Sequence, residues 1–157
     1  MPFYYLFGAV AASSGTANTD ADALRILTVS PRPCNITRLI LGNTGAAAQD
    51  NQVLVQLQRM STASTVGAAI VPMPHDPGAQ AAVTTPLTAP TIGTKNANGA
   101  ALHLGFNSRA LVQWVALNAD EAIFLATAGG ANGNIDLINQ QAAGTAVNIR
   151  YNLTFWE

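Results

Sequence analysis

The stretch IVPMPHDPGAQ, residues 70–80, places His75 beside Asp76 among three prolines. A histidine oriented by a carboxylate is the general base of many hydrolases. Adjacent residues of an extended chain, however, direct their side chains to opposite faces. Pro74 and Pro77 also favour extended backbone and remove two hydrogen-bond donors. The spacing therefore predicts the tip of a stiff loop, in which Asp76 caps a turn, rather than catalytic machinery.

The other candidates for acid–base chemistry are explained by strands and turns. His103 lies in AALHLGF, where we expect a half-buried strand residue, and two histidines cannot form a three-histidine zinc site. Asp120 and Glu121 are adjacent and precede an apolar segment, as the residues of a solvated turn do. A glycosidase would need a second acid from elsewhere, such as Asp136 or Asp50, and nothing in the sequence assigns one. We therefore predict that the protein is not an enzyme.

Metal and cofactor sites have equally weak signals. The segments NTDAD (18–22) and ANGNID (131–136) hold carboxylates and amides that suit a hard cation, but such residues are commoner in turns. No serine lies in a G-x-S-x-G context, and no phosphate-binding glycine loop leads from a strand into a helix. The single cysteine, Cys34, excludes an internal disulfide and is expected to be a small buried residue. We predict no metal and no cofactor.

The composition indicates one charge-poor domain spanning residues 1–157. Charged residues make up 10% of the chain, against roughly 25% in an average soluble domain. Surfaces with few charges suit a protein that packs against neighbours, although an alanine-rich soluble domain would give the same composition. The net charge is −1 and the seven basic residues are scattered, so we expect no binding to nucleic acid.

The N-terminal stretch MPFYYLFGAVAASSG has the apolar run of a signal peptide but not its positively charged start. The run from Phe3 to Ala12 is too short to span a bilayer. We therefore expect a first β-strand in a protein that is made without an export signal and does not bind membranes.

Apolar residues alternate with polar ones in the clearest segments of the chain. In AVNIRYNLTFWE, every second residue from Val147 to Phe155 is apolar, a period that no helix produces. NQVLVQLQRM repeats the pattern, with Gln56 and Gln58 opposite the apolar side chains. Short apolar segments separated by Gly, Asn, Thr and Pro predict an all-β fold. We expect a single-domain antiparallel β-sandwich, jelly-roll-like, with about eight to ten strands and a long proline-containing excursion over residues 61–100.

The order of these segments resembles a family of virion proteins. A strand ending in RLILGNTG is followed by VLVQLQRMSTAST, then by the excursion GAAIVPMPHDPGAQAAVTT, and finally by VNIRYNLTFWE. In this the chain is similar to the capsid cement or decoration proteins of tailed phages. The resemblance implies a structural homotrimer that is made in the bacterial host cytoplasm. It would bind the major capsid protein on the outer surface of the phage head, with no catalytic or cofactor residues.

Two regions are candidates for partner contact. The proline-stiffened loop loses little conformational entropy on docking, and the aromatic N-terminus offers large apolar side chains, although core packing is the alternative for at least two of them. The candidate contact residues are Phe3, Tyr4, Tyr5, Pro74, His75, Asp76 and Pro77.

A second function remains open. A jelly-roll tail or fibre domain could recognise host carbohydrate through exposed aromatic side chains beside amides. Trp114, within LVQWVAL, is expected in the core, whereas Trp156 alternates away from the apolar face of its strand and is the better candidate.

Overall fold

A computed structural model describes residues 1–10, 21–28, 32–43, 52–88, 91–126, 133–140 and 149–157. These ranges contain twelve β-strands and one 3₁₀ turn, Ala119–Glu121, and no α-helix. No helix in them has the length and apolar character needed to cross a membrane. The strands are β1 (Phe3–Val10), β2 (Ala21–Leu27), β3 (Cys34–Asn43), β4 (Gln52–Thr62), β5 (Ala68–Ala69), β6 (Met73–Pro74), β7 (Thr85–Thr88), β8 (Thr94–Asn107), β9 (Val112–Val115), β10 (Ile123–Leu125), β11 (Asn134–Asn139) and β12 (Ile149–Trp156).

The strands form two antiparallel sheets that pack face to face. Sheet A has the order β10-β3-β12-β1-β6, and β9 also pairs with β3. Sheet B has the order β5-β7-β2-β11-β4-β8. Buried apolar side chains of both sheets form one core cluster. The predicted all-β antiparallel sandwich is confirmed.

The period-two pattern of β12 places its apolar side chains in the core, as predicted. Ile149, Tyr151, Leu153 and Phe155 are all buried, and Val147 lies outside the described residues. Burying each such side chain stabilises the fold by roughly 1.5–3 kcal/mol. Cys34 is also fully buried at the start of β3, where burial raises the pKa of its thiol.

Gly8 is required by the packing of Tyr151. The two residues are directly opposed in the β1–β12 ladder, and a Cβ at Gly8 would lie 2.1 Å from the Tyr151 hydroxyl oxygen. The tyrosine side chain therefore occupies the space that any other residue at position 8 would need. Burial of this side chain raises the pKa of Tyr151.

The excursion over residues 61–100 contains short strands of its own. β5, β6 and β7 lie within it, and β8 begins within it at Thr94. The segment DPGAQAA contains a β-turn, in which the Ala79 amide donates to the Asp76 carbonyl at 3.0 Å. His103 in β8 is exposed, so the expectation of a half-buried residue was wrong.

Candidate partner-binding face

The side chains of β1 alternate between the core and the outer face of sheet A. Tyr4 and Leu6 are fully buried, whereas Phe3 is 47% and Phe7 53% exposed. Tyr5, between these two phenylalanines, is half-buried, and its ring lies 6.0 Å from that of Phe7. A row of exposed or half-buried aromatic side chains therefore runs along the outer side of β1.

The strand register arranges the outer side chains of sheet A in three cross-strand rows, which we call the open face. Directly paired residues of neighbouring strands present their side chains on the same side of a sheet. The rows are Phe3–Trp156–Asn35–Phe124, Met73–Tyr5–Thr154–Arg38–Val115 and Phe7–Asn152–Ile40–Gln113.

Large apolar side chains are exposed toward both edges of the open face. Besides the phenylalanines of β1, Met73 is 61%, Phe124 51% and Val115 41% exposed. They lie on three different strands and at opposite edges of the sheet. Contiguous apolar patches beyond a few hundred Å² are rare on soluble monomers and mark interaction sites.

Arg38 occupies the central row of the open face. Its Nε atom is buried and makes no hydrogen bond, and the same is true of the hydroxyl of its cross-strand neighbour Thr154. Both residues line a cavity of about 390 Å³. Its other lining residues include Phe3, Tyr5, Thr37, His75 and Val115. The cavity thus combines apolar walls with polar groups that have unused hydrogen-bonding capacity.

The loop that follows β6 closes one side of this cavity. The His75 amide donates to the Phe3 carbonyl at 2.8 Å, and the His75 ring lies 5.5 Å from the ring of Tyr5. The Asp76 side chain accepts from the Gly78 amide at 2.9 Å, which is the turn cap expected from the sequence. Both side chains are exposed, as is Pro77, and Pro74 pairs with the backbone of β1.

Tyr4 is not available for partner contact. Its side chain is fully buried and its ring stacks on Phe155, with centroids 5.3 Å apart. Its hydroxyl donates to the Gln80 carbonyl at 2.7 Å. The prediction was wrong for this residue, because the pattern FYYLF gives no sign of which side chains point inward. Phe3, Tyr5 and His75, in contrast, converge on the cavity beside Arg38.

The outer side of sheet B differs, and we call it the covered face. Its central row is Leu87–Arg25–Asp136–Gln58–Ala100. Asp136 is fully buried and accepts a hydrogen bond from the Ser64 hydroxyl. The Ser64 carbonyl accepts from Arg25 Nη1 at 2.7 Å, and the Ser64 hydroxyl accepts from the Gly93 amide at 2.7 Å. Residues of the excursion therefore lie over this sheet and bind its polar side chains.

Gln58 fixes a second part of the excursion on the covered face. Its Nε2 donates to the carbonyls of Arg59, Asn96 and Gly99 at 2.9, 3.1 and 3.0 Å. Gln56 and Gln58 lie opposite the core side chains of β4, as predicted, but each is only 4% exposed. At Gln56 and Gln58 the polar side of β4 is therefore buried like its apolar side.

The remaining candidates for chemistry are placed in separate parts of the molecule. Asp120 and Glu121 are exposed in the 3₁₀ turn, where the Asn118 side chain accepts from both of their amides. Trp114 is partly buried against the core, and Trp156 is half-buried on the open face. No group of three or more metal-ligating side chains exists within the described ranges. Asp50, residues 18–20 and residues 131–132 lie outside those ranges.

No match was found when the chain was compared with protein-family models, with curated proteins and with solved structures. The resemblance to capsid decoration proteins therefore stays a prediction.

Proposed function

We propose that the chain is a structural, non-enzymatic virion protein that binds the outer surface of a phage capsid. The observation that carries this proposal is the open face, on which aromatic and aliphatic side chains are exposed toward both edges of sheet A. Burying such a face against another protein lowers the free energy of the system, because apolar surface is removed from water. The low content of charged residues, 10%, supports the same reading, since charge is depleted at the centres of interfaces.

The mechanism would be that of a cement protein. Burying the open face against neighbouring major capsid subunits would add contact area across their boundary. As a homotrimer, the protein would also gain avidity, because three identical contacts are linked in one particle. Closed cyclic symmetry is the usual way in which identical chains assemble.

We further propose that the sandwich is a jelly roll. Sheet A contains the series β1-β12-β3-β10 and sheet B the series β2-β11-β4-β8. Strands that follow one another in the chain therefore alternate between the sheets at both ends of the sequence, as in two interlocked Greek keys. Jelly rolls occur in capsid proteins and in lectins, so this topology supports a virion role without separating it from carbohydrate binding.

The direct test is whether the protein co-purifies with assembled virions and rebinds particles from which it has been stripped. The double variant H75A/D76A should fold normally but bind such particles more weakly, because the loop borders the cavity of the open face. The matched control is H103A/D120A, which replaces one histidine and one aspartate at exposed positions outside the open face. If H75A/D76A instead removes a measurable hydrolytic activity, the non-enzymatic reading is wrong.

The assembly state gives an independent test. Light scattering coupled to size exclusion should report the mass of a trimer for the purified protein. A dimer would favour another virion role, and a stable monomer that also fails to bind empty capsids would contradict the proposal.

Carbohydrate recognition in a tail or fibre is the second candidate. The observation in its favour is the row in which Phe3 and Trp156 lie beside the amide of Asn35. A glycan array separates the two functions. Binding of a defined glycan that is lost in W156A would support host recognition, and an array without binding would leave the cement proposal as the better explanation.

A further inference from the structure

Arg38 has no acidic cross-strand neighbour in the described part of the open face. Among the described residues, Asp76 caps its own loop turn, and Asp120 and Glu121 belong to the 3₁₀ turn. Asp136 is buried on the opposite sheet, and the Glu157 side chain accepts from the amides of Val83 and Thr84 at 2.9 and 2.6 Å. None of these acids is a member of the three rows of the open face.

Arg25 has neighbours of a different kind, although its buried Nε, like that of Arg38, makes no hydrogen bond. Asp136 lies directly across from Arg25 in the ladder, and the Ser64 carbonyl accepts from its Nη1. The corresponding neighbours of Arg38 are Thr154 and Val115, neither of which carries charge. A guanidinium among apolar groups binds a carboxylate strongly, because its donors match the two oxygens and the surroundings exclude water.

The cavity around Arg38 determines what surrounds such a carboxylate. Tyr5 and Phe3 line it from β1, Val115 lines it from β9, and Met73 continues the same row beyond Tyr5. The hydroxyl of Thr154 is a further polar group with no hydrogen-bond partner. A complementary ligand therefore presents one carboxylate with apolar groups on both sides of it.

Charge and area favour another protein as the occupant. A second copy that used the same face around a two-fold axis would bring its own Arg38 against a face with the same charge, which is repulsive. An acidic sugar would fill the cavity but would leave the exposed Phe7, Met73 and Phe124 uncovered.

We infer that the open face binds a segment of another protein that inserts an Asp or Glu side chain beside Arg38 and packs apolar residues along β1 and β9. This inference rests on the proposed function, since it specifies the chemistry that the capsid partner must present. It makes Arg38 the specificity-determining residue of the interface.

The test uses the purified full chain and a displayed library of random linear peptides. Peptides enriched on the wild-type protein should share an Asp or Glu flanked by apolar residues. Changing that acid to its amide in a synthetic consensus peptide should weaken binding by about thirtyfold, the effect of truncating one partner of a buried charge pair. This comparison uses the wild-type protein alone, so it does not depend on the folding of a variant.

Variants of the protein assign the effect to Arg38. The consensus peptide should bind R38Q about thirtyfold more weakly than it binds the wild type. K95Q makes the same change of charge on β8 of sheet B and should bind normally. Circular dichroism and thermal melting confirm that both variants are folded.

Two results of the library selection would overturn the inference: enrichment of peptides without an acid, and no enrichment at all. Equal binding of the consensus peptide to R38Q and to the wild type would also overturn it, as would binding of an acidic sugar such as glucuronate in place of peptides. A lower oligomeric mass of R38Q would overturn it as well, because the occupant would then be a second copy of this chain. If the protein is found on virions and Arg38 has no effect, the proposed function stands and only the assignment of the surface fails.

Discussion

Each sheet of the sandwich carries an arginine in a cross-strand row on its outer side, but the two arginines have different neighbours. Arg25 on the covered face lies beside Asp136 and binds the Ser64 carbonyl of the excursion. Arg38 on the open face lies beside Thr154 and Val115, neither of which is charged, and the buried Nε atoms of both arginines make no hydrogen bond. The chain therefore supplies Arg25 with an acidic neighbour and a carbonyl acceptor of its own, and leaves Arg38 without an acidic cross-strand neighbour on a face that carries exposed aromatic side chains.

The difference separates residues that stabilise the fold from residues that are available to a partner. On the covered face, burial and hydrogen bonding within the chain favour folding. On the open face, exposed apolar side chains add little to folding and become favourable only when another surface covers them. Substitutions of residues that stabilise the fold should therefore lower the free energy of unfolding more than matched substitutions elsewhere.

The largest contrast is between neighbours on β1. Y4A should lower the free energy of unfolding by about 3–5 kcal/mol, because it leaves a cavity beside the stacked Phe155 ring. F3A should change stability little, since Phe3 is 47% exposed. Chemical denaturation of both variants measures the difference. Equal losses would show that the outer aromatic edge of β1 belongs to the folded core and is not a free surface.

Removing the buried acid of the covered face should have the next largest effect. D136A removes the buried carboxylate that accepts from the Ser64 hydroxyl and lies across the ladder from Arg25, and losing a buried hydrogen bond to a charged group costs about 3 kcal/mol. The control is D120A, which removes an exposed aspartate from the 3₁₀ turn and should leave the unfolding midpoint almost unchanged. A D136A variant as stable as D120A would mean that this polar cluster does not hold the excursion on the sheet.

The core could be predicted from the sequence more completely than the two outer faces. The alternation of β12 identifies Ile149, Tyr151, Leu153 and Phe155 as core residues, because their polar neighbours make the period visible. In FYYLF every residue is apolar or aromatic, so no period distinguishes Tyr4 from Phe3.

Whether the polar side chains of the outer faces have hydrogen-bond partners depends on contacts between residues that are far apart in the sequence. Ser64 and Asp136 are 72 positions apart in the sequence and form a hydrogen bond. Their contact depends on the sheet register and on the path of the excursion, and the local sequence pattern predicts neither of these. The sequence signal was an aspartate in the otherwise buried segment NIDLIN, which implies a polar partner but does not identify it. For the same reason, the lack of an acidic neighbour beside Arg38 became recognisable only when its cross-strand neighbours were known.

A matched pair of hydroxyl deletions should give a smaller contrast. S64A removes a donor to Asp136 and an acceptor for the Gly93 amide, which should cost about 1–3 kcal/mol. T154V removes a buried hydroxyl that has no partner, so it should be neutral or slightly stabilising. Thermal and chemical unfolding of the two variants measure the difference. A destabilised T154V would indicate that Thr154 already has a role in the isolated protein.

The smallest effects on stability are expected at the two arginines. Of these two residues, Arg38 is the one expected to matter for binding. R25M removes the donor to the Ser64 carbonyl and the cationic neighbour of the buried Asp136, and should destabilise the protein by about 1–2 kcal/mol. R38M removes a charge that has no acidic cross-strand neighbour and lengthens an apolar row, so the isolated protein should be equally stable or more stable by about 0.5 kcal/mol. Both substitutions replace an arginine by an unbranched apolar residue, and both are measured by denaturant unfolding in the absence of any partner. The two changes should therefore have opposite signs, since Arg25 has an acidic cross-strand neighbour and a carbonyl acceptor in its own chain, whereas the cross-strand neighbours of Arg38 are uncharged. A loss of stability in R38M as large as that in R25M would remove the distinction between the faces and, with it, the reason to expect a partner at Arg38.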